Sequence, residues 1–387
     1  MHVKHLSLGN FRNYKTAELA LGPGVTVLVG RNGQGKTNLV EAIGYCSTLT
    51  SHRVSGYIPL IKTQTNKAVI RLLAEHQERQ NLIELELNAE GSNRAKINRG
   101  DLSRIRDVLG YIQTVIFAPE DLNLIKGDPS DRRNFLDQLL VQISPRLAGT
   151  LSDYDRVLKQ RNTLLKTSRF LKADSPGLAT LDAWDQSLVE LGSEIILQRE
   201  NLVELLRPYL ASSYRAISEE KNDPSMFIKT SVLSSSVDLE SDNSYQEQSQ
   251  DKGEIAHAFL RRLKDLRAKE LERGVTLVGP HRDDLVLMLG ELPAKGYISH
   301  GETWSYALSL KLACVGLLKS KSQSGDPILI LDDVFAELDT VRRSRLVDLI
   351  SGNEQVIITA AVVEDIPEIA NARIYNVTNG EVELANG

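Results

Sequence analysis

The spacing of apolar residues changes period along the chain, and these changes outline its organisation. Alternation of apolar and polar residues predicts surface strands at 3–20, 67–73 and 82–87. Uninterrupted apolar runs predict strands buried on both faces at 25–29, 113–117 and 327–331. An α/β fold follows, with a sheet assembled from distant parts of the chain.

The middle of the chain has helical periodicity. It predicts helices at 131–143, 147–171 and 254–272, and a coiled-coil-like seam at Leu181, Trp184, Leu188, Leu191 and Ile195. Strand-like runs at 226–232 and 275–278 flank the last helix, and the Ser- and acid-rich residues 234–251 predict a flexible loop. We therefore expect a helical arm at 129–273, inserted into a head formed by 1–128 and 274–387.

Composition excludes several classes of protein. The 387 residues are 25% charged and 41% hydrophobic with a net charge of −5, which is typical of a globular protein and excludes a uniformly basic nucleic-acid binder. No apolar run is long enough to span a membrane, and residues 1–6 do not resemble a signal peptide, so we expect a cytoplasmic protein without membrane contact. Cys46 and Cys314 lie in apolar helical patterns, which indicates reduced core residues.

A glycine-rich turn follows the first buried run and precedes a helical pattern. Gly30, Gly35, Lys36 and Thr37 have the spacing G-x-x-x-x-G-K-[ST], in which backbone N–H groups and a helix N-terminus surround phosphates. Lys36 would contact the β- and γ-phosphates of a nucleoside triphosphate, and Thr37 would bind Mg²⁺. The residues assigned to the nucleotide are Gly30, Arg31, Asn32, Gly33, Gln34, Gly35, Lys36, Thr37 and Asn38. Arg12 can also reach a nucleotide, although a surface arginine in a turn fits equally well.

Two carboxylates follow the buried run at 327–331, at the strand end where open α/β sheets bind ligands. We assign Asp332 to the Mg²⁺ that Thr37 also binds, and Asp333 to the attacking water. Lys36, Asp332 and Asp333 are thus the candidate catalytic residues. Capping of a helix N-terminus is the simpler alternative for the two acids.

Ser299 and Glu302 match a capping box at the start of a long apolar helix. Such a helix end also binds anions, so Ser299 and Gly301 are candidates for a second phosphate contact. One phosphate loop surrounds only part of a triphosphate, so this helix end is expected to close on the nucleotide of another subunit.

Basic residues without an acid among them occupy 156–172. Most fall on about half of a helical projection, which suits a DNA backbone, and a solvated basic surface is the open alternative. The residues assigned to DNA are Lys159, Arg161, Lys166 and Arg169, with Arg132 and Arg133 at the start of the arm.

The order of these parts resembles the ATP-binding-cassette (ABC) heads of chromosome-maintenance and recombination proteins, and most closely the RecF family of bacterial recombination mediators. The matching stretches are 8–14, 30–38, 51–53, 117–122, 126–133, 160–162, 278–284 and 331–339. The resemblance implies an ATP-dependent homodimer that binds single-stranded or gapped DNA and its junctions with duplex. It also implies action with RecO and RecR to load RecA in DNA repair, replication and the SOS response.

The resemblance also assigns roles to single residues. Ser299 and Gly301 would contact the partner subunit's γ-phosphate, and Asp339 would lie at the dimer seam. Two features depart from the common pattern. The signature here is Ser-His-Gly-Glu at 299–302 instead of Ser-Gln-Gly-Gln, and Thr-Ala-Ala at 359–361 stands where many ABC ATPases have a histidine. We therefore expect weak, DNA-stimulated ATP hydrolysis.

Two other functions remain open from the sequence. The nucleotide-binding subunit of an ABC transporter would usually carry a Leu-Ser-Gly-Gly signature and the histidine, and both are absent here. An architectural DNA-binding protein with a purely structural nucleotide would hydrolyse ATP equally well, or equally poorly, with and without the Asp333 carboxylate.

Overall fold

The structure is a computed structural model that describes residues 1–168, 179–218, 222–233, 251–322, 325–367, 369 and 371–385. The predicted loop at 234–251, apart from Asp251, and the predicted DNA contact Arg169 lie outside these residues.

The described strands follow the apolar patterns closely. They are β1 His2–Phe11, β2 Tyr14–Ala20, β3 Gly24–Val29, β4 Lys67–His76, β5 Arg79–Asn88, β6 Arg94–Ile97, β7 Gly100–Asp101, β8 Thr114–Phe117, β9 Pro224–Lys229, β10 Asp284–Leu289, β11 Leu292–Pro293, β12 Ile328–Asp332, β13 Gln355–Ala360, β14 Arg373–Thr378 and β15 Glu381–Leu384.

The described α-helices are α1 Lys36–Thr48, α2 Asn123–Lys126, α3 Pro129–Ile143, α4 Leu147–Thr167, α5 Ala179–Ile217, α6 Lys252–Arg273, α7 Ala294–Tyr297, α8 His300–Lys321 and α9 Thr340–Ile350. Short 3₁₀ turns lie at Ile58–Leu60, Ile105–Val108, Pro119–Leu122, Phe335–Glu337 and Val363–Asp365. None of the helices in the described part of the chain is long and apolar enough to cross a bilayer.

The chain forms two compact units. Unit 1 contains Met1–Ile125, Tyr209–Asp223 and Ser299–Gly387, and unit 2 contains Lys126–Pro208 and Pro224–Ile298. These bounds differ from the predicted division into 1–128 plus 274–387 and 129–273. Residues 274–298 belong to unit 2 because β10 pairs antiparallel with β9.

Unit 1 contains two six-stranded sheets. One has the order β2-β1-β4-β5-β6-β7, and the other has the order β15-β14-β3-β13-β12-β8. Helix α1 contributes Leu39, Ile43 and Cys46 to a buried core that contains residues of both sheets, such as Ile70 and Ile330. The apolar face predicted after the glycine turn therefore holds the two sheets together.

The second sheet positions the candidate site. Strands β14, β3, β13, β12 and β8 run parallel, so their carboxyl ends lie along one edge. β3 leads into the glycine turn, and β12 ends at Asp332. All residues of β12 and β13 are buried, as expected for central strands of a parallel sheet.

Unit 2 is built from helices and a small sheet of order β11-β10-β9. The predicted seam lies on the early part of α5, where Leu181, Leu188 and Ile195 are buried. Helix α6 is capped at its N-terminus by Asp251, whose side chain accepts a hydrogen bond from the Glu254 N–H, and at its C-terminus by Gly274 with φ 68°.

The strand predicted at 275–278 is wrong. The backbone N–H of Thr276 donates to Asn162 Oδ1 at 2.8 Å, and that of Leu277 donates to Glu270 Oε1 at 2.7 Å. Side chains of the neighbouring helices thus take the backbone bonds that a sheet partner would otherwise take. The spacing of apolar residues does not show whether a segment's backbone pairs with another strand or with side chains.

Candidate nucleotide-binding and hydrolysis site

The turn between β3 and α1 requires glycine at two positions. Gly35 has φ 117°, in the left-handed region that other residues rarely adopt, and a Cβ there would collide with the Tyr14 ring. A Cβ on Gly30 would collide with the backbone oxygen of Val377 on β14. The close approach of these backbones explains why the sequence has glycine at this spacing.

Lys36 is held inside the turn. It is 3% exposed, and its Nζ donates to the carbonyl oxygens of Gly30 at 2.6 Å and Arg31 at 3.5 Å. The first turn of α1 carries no acidic residue, and its capping residue Gly35 has no side chain to accept from the N–H groups of that turn. A buried ammonium beside such a helix start is a site for an anion.

The structure brings Thr37 and Asp332 together, as the sequence predicted. Thr37 Oγ1 donates to Asp332 Oδ1 at 3.1 Å, although the two residues are 295 positions apart in the chain. Thr359 Oγ1, at the end of β13, donates to the same carboxylate oxygen at 2.6 Å. Thr359 was not assigned from the sequence; its polar side chain at the end of an apolar run was the available signal.

Asp333 has an unusual backbone conformation. Its φ is 53°, which is rare outside glycine, and its N–H donates to Thr359 Oγ1 at 2.9 Å. Burial raises the pKa of the Asp333 carboxyl above its usual value; Lys36 opposes this rise and the neighbouring Asp332 adds to it. A carboxylate with a raised pKa is a better proton acceptor, which suits the predicted contact with water.

The residues present fit a magnesium ion bound together with a phosphate. The Thr37 hydroxyl and the Asp332 carboxylate are hard oxygen donors within hydrogen-bond distance of each other. Among the described residues, no group of three or more His, Cys, Asp or Glu side chains could hold a metal. Mg²⁺ at this place would therefore take its other ligands from phosphate and water, as it usually does.

Arg12 pairs with a carboxylate of α1, and its contact with a nucleotide stays a prediction. Its Nε and Nη2 donate to the two carboxylate oxygens of Glu41 at 2.8 and 2.6 Å, and its Nη1 donates to the Pro59 carbonyl at 3.1 Å. The Glu41 side chain is fully buried in α1. The guanidinium group is needed there because an unpaired buried carboxylate is costly.

Glu41 is a residue that sequence reasoning missed. Besides Arg12, it accepts a hydrogen bond from Ser51 Oγ and lies 3.7 Å from Arg53 Nη1. The available signal was an acidic residue within the otherwise apolar run 39–46 of α1, where a cation must be close if the helix is buried on all sides. Glu41 thereby fixes the 51–53 loop beside the phosphate turn.

Ser299 and Glu302 form the expected capping box. The Glu302 N–H donates to Ser299 Oγ at 3.2 Å, and the Ser299 N–H donates to Glu302 Oε2 at 2.7 Å. Asp339 caps α9 in a similar way, because its carboxylate accepts from the Arg342 N–H at 2.9 Å. The contact of Ser299 and Gly301 with a partner's nucleotide, and the dimer-seam position of Asp339, stay predictions.

Arg161 is not available to DNA, which corrects the prediction from the helical projection. It is 0% exposed; its Nε, Nη1 and Nη2 donate to Asp185 at 2.7 Å, Thr276 at 2.8 Å and Glu270 at 2.7 Å. Val157 and Leu165, one turn away on either side, are buried as well. Arg161 therefore lies on the packed face of α4.

Two other predicted DNA contacts also have internal partners. Arg132 is 5% exposed and donates to both carboxylate oxygens of Asp284 at 2.7 and 2.9 Å. Arg133 donates to the Asp283 carbonyl at 2.8 Å, and burial lowers its pKa. Arg133 is partly buried. Lys159 and Lys166 are the two residues of the assigned six that the structure describes as exposed.

Comparison with known proteins agrees with this geometry. The family model for the RecF/RecN/SMC N terminal domain matches residues 2–383. "DNA replication and repair protein RecF" of Clavibacter sepedonicus is 51% identical over 388 residues, covering 99% of this chain and 95% of the relative. The protein of the same description from Streptomyces avermitilis is 50% identical over 386 residues, covering 99% and 100%.

Solved structures extend the similarity to three dimensions. The recombination mediator protein RecF-ATP of the RecFOR pathway has a TM-score of 0.88 and 29% identity, with coverage of 100% of this chain and 98% of that chain. An Smc head bound to a domain of ScpA has a TM-score of 0.54 at 15% identity, which supports the fold alone; the coverage is 100% and 97%. The chain has the ABC-type ATPase head fold, and it belongs to the RecF family of DNA replication and repair proteins.

Proposed function

We propose that this chain binds ATP with Mg²⁺ and uses it to control binding to DNA in recombinational repair. The observation that carries the proposal is the hydrogen bond from Thr37 to Asp332 beside the buried ammonium group of Lys36. Lys36 and the N–H groups that begin α1 would hold the phosphates. Thr37 and Asp332 would hold the ion, which neutralises charge on the phosphates when bound.

Hydrolysis would depend on Asp333. Its carboxylate would accept a proton from water as the water oxygen bonds to the γ-phosphorus, and the bond to the ADP oxygen would break. Thr359 fixes this residue by accepting from its N–H. Ala360 and Ala361, at the end of β13 and just after it, have no side-chain donor, which supports slow turnover; we expect DNA to stimulate it.

ATP would join two copies of the chain. Ser299 and Gly301 would bind the γ-phosphate of the partner's nucleotide through the N-terminal end of α8, where the helix dipole favours an anion. Ser299 is exposed in unit 1, which leaves it accessible to another copy. Asp339, which caps α9, the next α-helix of that unit, would lie at the seam.

The exposed basic residues of unit 2 would contact DNA. Lys159 and Lys166 are exposed on α4, and Arg261, Lys264 and Lys269 are exposed on α6. Such residues neutralise backbone phosphates without reading sequence, which fits a preference for DNA structure. The preferred form would be gapped DNA with its junctions between single and double strands.

The cellular role follows the relatives. They are described as DNA replication and repair proteins and, in one solved structure, as a recombination mediator of the RecFOR pathway. We infer that this chain acts in the cytoplasm after DNA damage, together with RecO and RecR, to load RecA and support the SOS response.

Sedimentation of the full chain with ATP, ADP or no nucleotide tests the proposal, each with and without gapped DNA. The wild type is expected to dimerise with ATP only, and gapped DNA is expected to cosediment with the dimer. Lys36→Ala should weaken nucleotide binding more than ~100-fold, since a buried charge-assisted contact to phosphate is lost. ATP-dependent dimers of Lys36→Ala would contradict the proposal.

A further inference from the structure

His52 has a ring nitrogen without a partner inside the candidate site. Its Nε2 is buried and makes no hydrogen bond to any described residue. It lies 3.9 Å from Asp332 Oδ2, too far for a hydrogen bond. Buried polar atoms almost always have a partner, so this nitrogen is an unexplained group beside the phosphate turn.

The loop that carries His52 is fixed by its two neighbours. Ser51 Oγ donates to the buried Glu41 carboxylate and accepts from the N–H groups of Arg53 at 3.0 Å and Val54 at 3.2 Å. Arg53 Nη1 donates to Asn38 Oδ1 at 2.9 Å. The backbone position of His52 is therefore fixed by contacts that His52 itself does not make.

The surroundings of His52 specify the kind of group that it can bind. Asp332 Oδ1 already accepts from Thr37 and Thr359, and its Oδ2 faces the imidazole. In phosphoryl-transfer sites the metal lies between the β- and γ-phosphates, so a donor next to the metal-binding carboxylate can reach the γ-phosphate. A neutral imidazole with its proton on Nε2 is such a donor.

We propose that His52 Nε2 donates a hydrogen bond to the γ-phosphate of bound ATP, so that the site distinguishes ATP from ADP. The inference rests on the proposed nucleotide-binding function. The γ-phosphate contact is thus assigned to the loop after α1. The residues 359–361 at the end of β13 contain no histidine that could make it. His52 would thus couple the γ-phosphate to the 51–53 loop, whose other two residues contact Glu41.

The test is equilibrium binding of ADP and of the β,γ-imido analogue of ATP, both with Mg²⁺, to the full-length chain. His52→Ala should weaken the ATP analogue about tenfold or more, because a hydrogen bond to a charged group is lost, and should change ADP less than about twofold. His52→Gln should restore most of the loss, since its amide nitrogen reaches the place of Nε2. His52→Asn, whose amide lies near the place of Nδ1, should not restore it.

The controls separate this inference from the proposed function. His5→Ala removes a half-exposed imidazole from the outside of β1 and should leave both affinities unchanged. If the wild type binds neither nucleotide, the proposed function fails. If the wild type binds both and His52→Ala weakens them equally or not at all, only the role of His52 is overturned. Equal behaviour of His52→Gln and His52→Asn would overturn it too, even if His52→Ala does not fold.

Discussion

Two buried cations, one in each unit, have different kinds of partner. In unit 2, Arg161 donates from each of its three guanidinium nitrogens, and two of the acceptors are the buried carboxylates of Asp185 and Glu270. In unit 1, the buried Lys36 ammonium contacts backbone carbonyl oxygens and makes no ion pair with any described carboxylate. The first arrangement is closed, and the second has unused capacity for an anion.

The backbone shows the same contrast. Asp333 adopts φ 53° and has a raised pKa, whereas Arg161 lies in the regular helix α4. Strained backbone and unmatched charge persist only where surrounding contacts impose them, and they are common at binding sites. Matched buried charge supports structure, and unmatched buried charge is where a ligand belongs.

The largest expected effect tests the closed arrangement. Arg161→Ala leaves the buried Glu270 carboxylate without its cation and removes one of the two arginines that pair with Asp185, so the free energy of unfolding should fall by about 3–5 kcal/mol. Urea denaturation of the full chain measures this change. Arg156→Ala is the matched control, because Arg156 is exposed on the same helix and forms an exposed ion pair with Asp153; it should change stability by less than about 0.5 kcal/mol. If Arg161→Ala kept normal stability and lost DNA binding, the conclusion that Arg161 is a structural residue and not a DNA contact would be wrong.

A smaller effect is expected on the exposed face of α4. Lys166→Glu should weaken binding to gapped DNA about three- to tenfold and lower the slope of log K against log salt by about one, since one phosphate contact is lost. Its stability should remain near that of the wild type. Titrations at several salt concentrations would show this, with Lys15→Glu on β2 of unit 1 as a control of equal charge change. An unchanged slope would make Lys166 ordinary surface.

The smallest effect concerns Glu200, a partly buried carboxyl of unit 2 that, unlike Asp185 and Glu270, has no cation beside it among the described residues. Burial, and then the nearby Asp283, raises the pKa of Glu200 from 4.5 to about 7, and its Oε1 has no described partner. The folded chain therefore binds this proton more tightly than the unfolded chain, and stability is lost as the pH rises from about 4.5 through about 7.

Glu200→Gln removes the loss of stability at high pH, because glutamine does not ionise. At pH ~8 it should stabilise the protein by about 0.5–1 kcal/mol, a value reduced for solvent screening of a partly exposed carboxyl, and at pH ~4 it should have little effect. Thermal unfolding at the two pH values measures the difference. Glu190→Gln, an exposed site on the same helix, should show no such dependence. Equal effects at both pH values would refute the raised pKa.

The phosphate turn and the acidic strand could be predicted because each has a local pattern. Gly30 to Thr37 and the run into Asp332 show their chemistry within a few residues, and the rule for parallel strands places both at one edge. The helices and central strands follow from periodicity in the same way.

Arg161 could not be placed correctly, because a helical projection shows which residues share a face and not what packs against it. Its partners Asp185, Glu270 and Thr276 come from three other segments. Glu41 and Thr359 were missed for the same reason: their roles depend on contacts with Arg12 and Asp332, which are distant in sequence. Long-range pairing of β9 with β10 likewise moved the boundary of the second unit.

The order of strands around β3 has a consequence for synthesis of the chain on the ribosome. β3 is flanked by β13 and β14, so both of its edges wait for the final part of translation. The 295 residues that separate Thr37 from Asp332 take roughly 15–60 s to translate at bacterial speeds. During that interval the nascent polypeptide contains the phosphate turn but not yet Asp332. It also contains β3 without its two neighbouring strands, and chaperones would need to shield this apolar strand.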